Sequence, residues 1–309
     1  MSRVVVVGSF NQDHVWRSER FPQPGETRLG LFSCGPGGKG FNQAVAAARL
    51  GAETFFLGAL GRDAIGDGAA ALAESENIQA RWQRCDSEAT GTAAILLDGT
   101  GQNLIVVGPG ANMALGVAHI DANKDVFKDA RVLLTQQEVN PAAIQRALRL
   151  ARGLAVTTVH NPAPASAVMD LPWPLIDILT PNESEFAQLL ERRTETKVEA
   201  DSLAAQDDDT LHALCRRLSM PTVIVTLGAA GVFVSAGEKY FRVAAEPVQV
   251  RDTTGAGDAF NGAFAAGLAQ GRELEDAVRF ANRAAALKVE RAGAALAMPT
   301  LAELQQRFS

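Results

Sequence analysis

Val250-Arg251-Asp252-Thr253-Thr254-Gly255-Ala256-Gly257-Asp258-Ala259-Phe260-Asn261-Gly262 sets two glycines around an alanine, follows them with a carboxylate, and opens an alanine-rich run. Residues 246–250 read as a strand entering the stretch, and residues 259–270 as a helix leaving it. Glycines at such a junction permit a tight turn and leave successive N–H groups free to converge on an anion, while the helix start adds its positive dipole end. Asp258 then stands where it could take a proton from a hydroxyl attacking a bound phosphate. A second reading of the same residues is an ordinary helix cap, with Asp258 satisfying orphan N–H groups.

Working downstream, residues 273–290 form a second helix, and Asn282 falls late enough in it to face the same ligand. Upstream, strands are expected at 222–227, 232–235 and 239–243, and the turn Gly228-Ala229-Ala230-Gly231 is small enough for a flat ligand to lie on its backbone. Asn182 and Glu185 are i and i+3 at the head of a helix running to about 190, so they share a face. That pair could hold Mg²⁺ through water, or could be an N-cap with an acidic first turn. Residues 194–209, rich in acid and weakly patterned, read as a solvated surface segment.

Strands at 131–135, 154–158 and 176–180 with a helix at 141–151 give a βα rhythm, and polar residues follow the strands: Glu138, Asn161, Asn182. Val4 to Val7 is a β-branched run ending in Gly8, as in a parallel strand buried on both faces; Asn11 and Asp13 beyond it alternate and can point the same way. Four glycines around Lys39 (Gly35-Pro36-Gly37-Gly38-Lys39-Gly40) precede a helix over 44–50, and the Walker spacing is absent. A strand at 54–57 and a helix at 66–76 follow. Two stretches leave the rhythm: a Pro/Gly-punctuated extended piece at 15–34, and a hairpin of 91–97 with 103–107 that could pair with it.

The chain has 309 residues, 47% of them apolar and 21% charged, with a formal net charge of -6. This describes a globular protein with a sizeable core and a poor match to nucleic acid. No apolar run approaches the ~20 residues that span a membrane, and the start lacks a signal-peptide pattern, so a cytoplasmic protein is expected. Cys34, Cys85 and Cys215 are odd in number and widely spaced, which indicates neither a disulfide framework nor a zinc site.

Asn11-Gln12-Asp13, Gly37-Gly38-Lys39-Gly40 with Asn42-Gln43, Thr180-Pro181-Asn182-Glu183, and Asp252 through Asp258 stand in an order and spacing that closely resembles the ribokinase family of carbohydrate kinases, over essentially the whole chain. The resemblance implies an α/β, Rossmann-like three-layer αβα fold as one domain, with a β-sheet lid from about 12–40 and 90–110. It implies Asp258 as general base and Gly255, Ala256 and Gly257 as anion hole. Asn11, Asp13, Gly38, Lys39, Asn42 and Glu138 would hold the hydroxyls of a neutral sugar, with D-ribose the expected acceptor. ATP would lie on Asn182, Thr226, Leu227, Gly228, Ala229, Ala230, Gly231, Gly257 and Asn282, with Mg²⁺ bound through water near Asn182 and Glu185. An activating K⁺ is expected on mainly backbone oxygens of Asp252, Thr254, Lys288, Arg291, Gly293 and Ala297, and a homodimer through the lids.

Two positions depart from the family pattern. Ala297 replaces a usual serine and removes a hydroxyl from the cation shell; Phe41 replaces a usual alanine, either narrowing the sugar pocket or packing behind it. The rival readings are the same chemistry on 2-deoxyribose, a nucleoside or a keto-sugar acid, and a non-catalytic sugar-binding protein.

Overall fold

A computed structural model describes residues 2–165 and 171–308. Among these, nine strands form one sheet in the order Lys239–Val243, Val232–Ala236, Thr222–Thr226, Ile178–Leu179, Thr157–His160, Ala130–Thr135, Arg3–Val7, Glu53–Gly61, Gln79–Cys85. Val232–Ala236 runs antiparallel to both of its neighbours, Lys239–Val243 and Thr222–Thr226, and every other neighbouring pair is parallel. Arg3–Val7 pairs with Glu53–Gly61 on one side and Ala130–Thr135 on the other, so the chain winds outward in both directions from it. Such a switch point opens a crevice at the carboxyl ends of its strands.

The period of two in Val4-Val5-Val6-Val7 decides the layers. Val4 and Val6 pack with the helices Lys39–Arg49, Ala256–Ala269 and Leu274–Val289, while Val5 and Val7 pack with Pro141–Gly153 and Glu183–Thr194 on the opposite face. All four valines are fully buried, and burial of each side chain contributes about 1.5–3 kcal/mol. The helix carrying Asp258 rests against Lys39–Arg49, where Gly262 leaves no room for a side chain: a Cβ there would stand 2.3 Å from the Gln43 carbonyl oxygen.

A second sheet, in the order Leu31–Gly37, Asn11–Arg17, Thr92–Leu97, Asn103–Gly108, unites the two excursions read from the sequence. Asn11–Arg17 is antiparallel to Leu31–Gly37 and parallel to Thr92–Leu97. The exposed residues Leu104, Ile105, Val106 and Val107 alternate along the edge strand, so apolar groups stand on both of its faces.

Several local expectations need correction. Residues 246–250 are not a strand; residues 244–250 are irregular, because Pro247 has no N–H to give a ladder and Val250 is exposed. The strand expected at 154–158 is Thr157–His160, displaced by a left-handed Ala155 that closes the preceding helix. The edge strand Gln79–Cys85 gave no apolar alternation to read, and the helix Asp208–Arg217 begins inside the acidic segment, capped by Asp207. That segment is not wholly solvated: Leu203 is buried, and Asp208 and Asp209 pair with Arg242 and Tyr240. A further helix, Leu301–Arg307, with a Thr300–Glu303 capping box, follows the two that were expected to close the chain.

Candidate active site

The Gly255-Ala256-Gly257 turn opens the helix Ala256–Ala269, with Gly255 at its N-cap in the left-handed region at φ 74°. Only glycine takes that conformation without strain. Gly257 has a different reason to be glycine, since a Cβ there would meet nothing within 4 Å and would project into open space. That space is a cavity of about 140 Å³ whose walls include Lys39, Asn182, Glu185, Gly255, Gly257 and Asp258. Asp258 is 7% exposed, and its carboxylate accepts from Asn42 Nδ2 at 2.8 Å and from Gln43 Nε2 at 3.0 Å. Both donors sit in the first two turns of Lys39–Arg49, so the two glycine stretches converge through their helices.

Gln43 is itself pinned, donating to Asn161 Oδ1 at 3.1 Å and accepting from Gln136 Nε2 at 2.6 Å. Asn161 in turn donates to the Thr180 carbonyl at 2.9 Å, and Thr180 Oγ1 donates to Asn261 Oδ1 at 2.6 Å. This network of buried amides joins the strand ends to the helix of Asp258. Its members were missed as site residues, although their signal is visible: a polar residue directly after an apolar strand.

The other sugar-side residues gather at the end of Arg3–Val7. Glu138 Oε2 accepts from Ser9 Oγ at 2.6 Å and from the Lys39 backbone N–H at 2.9 Å. Asn11 Oδ1 accepts from Asn112 Nδ2 at 2.9 Å, and Asn112 also grips both backbone groups of Phe10; no sequence signal marked Asn112. Gly37 and Gly38 are small because of their neighbours: a Cβ at Gly37 would fall 2.2 Å from Asp13 Oδ2, and one at Gly38, at φ +88°, 2.7 Å from the Asn11 nitrogen. Burial, and after it the carboxylates of Glu138 and Asp258, push the Asp13 carboxyl up to about 7. Burial lowers the Lys39 ammonium, but Asp258, Glu138 and Glu185 outweigh it and leave its pKa raised. Lys39 is therefore the charge that balances three carboxylates. His160, pushed by burial down to about 3, stays neutral and is no rival base.

Phe41 does not narrow the pocket: it is fully buried and packs edge-on against Phe10, with ring centroids 5.1 Å apart. His14 stacks beside Trp16 and Phe32 in the lid, and those two rings also touch each other. A larger cavity of about 410 Å³ lies between the lid base and the helix Ala64–Ser75; apolar side chains dominate its wall, which includes no carboxylate or lysine.

On the nucleotide side, Thr226 lines the cavity, bridges to Asn182, and leads through Leu227 into an exposed turn, Gly228–Ala230, closed by Gly231 at φ 87°. Asn182 and Glu185 form a reciprocal capping box, Asn182 N donating to Glu185 Oε2 at 2.9 Å and Glu185 N to Asn182 Oδ1 at 2.8 Å. Glu185 nevertheless lines the cavity, and burial, then Asp258 and Glu183, raise its pKa against Asn182 N–H and Lys39. A divalent cation nearby would relieve that cost, so the pair fits Mg²⁺ held through water, and among the described residues no cage of three His, Cys, Asp or Glu side chains is present. Asn282 stands outside this cavity; its Nδ2 donates to the Ala244 carbonyl at 2.7 Å and braces the irregular segment 244–250.

The expected K⁺ shell does not fit the residues present. Lys288 was expected to offer its backbone oxygen, yet that oxygen accepts from Arg291 N at 3.0 Å. Its side chain instead turns inward, fully buried, and Nζ donates to the carbonyl oxygens of Asp252 at 3.0 Å and Arg291 at 3.3 Å. These are two of the oxygens assigned to the cation. A second positive charge about 4 Å from the ammonium would be repelled by about 4 kcal/mol at an effective dielectric of 20.

A doubly wound sheet, a glycine turn at a helix N-terminus, and a carboxylate and lysine on one cavity define an α/β enzyme of the phosphoryl-transfer class. The pfkB family carbohydrate kinase model matches residues 1–301, and the chain belongs to that family. It is 37% identical to the ribokinase of Haemophilus influenzae over 302 residues, covering 97% of this chain and 96% of that one. Among solved structures, it superposes on ribokinase from Thermotoga maritima with a TM-score of 0.86 at 33% identity, covering 98% of both chains. Against the Arabidopsis thaliana ribokinase complexed with ribose and ATP the TM-score is 0.84 at 33% identity, covering 99% of both chains.

Proposed function

We propose that this kinase transfers the γ-phosphoryl group of ATP to the 5-hydroxyl of D-ribose, giving ribose 5-phosphate and ADP. The observation that carries the reading is one shared cavity, lined by both the Asp258 carboxylate and the Gly255–Gly257 turn beside it. Asp258 takes the proton of the sugar hydroxyl, Gly255, Ala256 and Gly257 present N–H groups to the phosphoryl oxygens, and Asn42 and Gln43 hold the base in line. Asn11, Asp13, Gly38, Lys39, Asn42 and Glu138 position the sugar; Asn182 and the Thr226–Gly231 turn receive the nucleotide, with Asn282 bracing beside it. Mg²⁺, when bound, neutralises phosphate charge, and Asn182 and Glu185 would hold it through water. No step uses K⁺.

Asp13 accepts from a hydroxyl and Asn11, whose Oδ1 already takes Asn112 Nδ2, offers its own Nδ2 to the next; the pair favours vicinal hydroxyls, because a deoxy sugar leaves one buried partner unmatched. ADP release with ribose, 2-deoxyribose, fructose, ketodeoxygluconate and nucleosides tests this, with kcat/KM for ribose expected to lead by about tenfold or more. A different acceptor in the lead, or no turnover with any, overturns the assignment.

Asp13 makes binding pH-dependent. As its carboxyl is raised to about 7, it is largely protonated below that pH and ionised above it, and only the ionised form accepts from two hydroxyls. Ribose KM is expected to fall as pH rises from 6 to 8 (about one unit either side of that pKa) and then level, while Asp13→Asn flattens the profile. An unchanged slope in that variant removes Asp13 from the sugar site.

The chain works in this reading as one kinase domain over residues 1–309, its four-stranded sheet serving as lid, in the cytoplasm, as cell fractionation checks. A second copy covers the lid, since Val106 at 71% and Leu31 at 76% exposure leave apolar surface beside an open sheet edge. Sedimentation is expected to give a dimer that Val106→Asp converts to monomer; a monomeric parent protein at micromolar concentration argues against the lid interface.

A further inference from the structure

We infer that the Lys288 ammonium is a tethered replacement for the activating monovalent cation, so that this kinase carries its own positive charge beside the anion hole and needs no K⁺. Lys288 lies in the last turn of Leu274–Val289, at the negative end of that helix dipole, and reaches from there to the strap that leads into Gly255. Its two acceptors are main-chain carbonyls, Asp252 at 3.0 Å and Arg291 at 3.3 Å, which is the ligand type a monovalent cation would use. The Asp252 side chain continues the clamp, accepting from Thr254 N at 2.9 Å and Gly293 N at 2.8 Å. The loop on either side of the ammonium is thus drawn together by one residue. Ala297 fits the same arrangement: with the charge supplied by a side chain, the shell no longer needs the serine hydroxyl that the position usually offers.

The groups facing the ammonium are consistent with a charge that works at a distance. Among the described residues Lys288 forms no ion pair with a carboxylate; burial lowers the pKa of its ammonium, and the fields of Asp252 and Asp258 offset that in part. Lys288 does not reach the reacting atoms, so it is a positioning residue. It orders the Asp252–Gly257 turn and adds a positive potential to the site where phosphoryl charge develops.

The test compares turnover in potassium, sodium and tetramethylammonium chlorides at fixed ionic strength, with ribose, ATP and Mg²⁺. The parent protein is expected to vary by less than about twofold among them, whereas Lys288→Ala in tetramethylammonium loses at least about tenfold in kcat with ribose KM little changed. Potassium or methylammonium, able to enter the vacated space, restores most of that loss. Lys288→Met, which fills the space without charge, is not restored. Melting temperature gives a readout independent of turnover: potassium raises it for Lys288→Ala and leaves the parent unmoved. Severalfold activation of the parent protein by potassium overturns the inference, as does Lys288→Ala that is equally active in all salts or rescued by none. If Lys288→Ala does not fold, the parent protein's salt comparison still decides. The inference rests on the kinase reading only for its activity arm; a protein that phosphorylates no sugar sinks that reading, while the melting arm still judges Lys288.

Discussion

Asp258→Asn is expected to lower kcat with ribose by about 10²–10⁴-fold while ATP affinity stays within a few-fold. The amide keeps the size of the carboxylate but cannot accept a proton from the sugar. It also disturbs the clamp, because Asn42 Nδ2 and Gln43 Nε2 both donate to Asp258, and an amide must turn its own NH₂ toward one of them. Asp258→Ala separates the two effects by removing the clash together with the base; it should lose as much turnover as the amide. A further consequence reaches Lys39, whose raised pKa depends, against burial, on Asp258 first among its carboxylate neighbours. Steady-state kinetics on both variants, with nucleotide binding measured separately, decide the matter. Near-normal turnover in either variant removes Asp258 as the base.

The second large effect is expected far from any ligand. Gly262→Ala places a methyl group 2.3 Å from the Gln43 carbonyl oxygen and 2.6 Å from Ala46 Cβ, and neither belongs to a flexible side chain. The helices Ala256–Ala269 and Lys39–Arg49 must therefore move apart. Overpacking of this kind costs about 1–3 kcal/mol, seen as a melting temperature lowered by several degrees. The same displacement separates Asp258 on one helix from Asn42 and Gln43 on the other, and a shift of about 1 Å at such a site can cost about 10²-fold in rate. Gly68→Ala is the control: it lies in Ala64–Ser75 with nothing within 4 Å of its Cβ position, so helix propensity should make it neutral or slightly stabilising. Equal stability and turnover for Gly262→Ala and the parent protein rule out this account of the helix contact.

Much of the site is legible in the chain itself. The valine run at 4–7, the glycines at 37, 38 and 40, the small residues at 255–257, and the two lid segments are local patterns, because burial on both faces, positive φ and strand alternation each leave a mark within a few residues. Lys39, Asn182, Glu185 and Asp258 line one cavity, and Asn11, Asp13 and Glu138 stand at neighbouring strand ends, a placement that follows from those patterns once the sheet is doubly wound. The misreadings have local causes as well. Residues 246–250 carry the apolar alternation of a strand but also Pro247, and Gln79–Cys85 is an edge strand too polar to announce itself.

Pairings between side chains distant in the chain were not legible. Asn42 and Gln43 reach Asp258 across 216 and 215 positions, and Ser9 reaches Glu138 across 129; such bonds depend on how two helices and a strand end are packed, which no local period encodes. Lys288 shows the same division most sharply. Its position beside the cation shell could be read from the chain, but the direction of its side chain could not. A four-carbon stem can follow the surface or turn inward, and the choice falls to the interior, where the carbonyls of Asp252 and Arg291 compensate a buried ammonium that water would otherwise solvate.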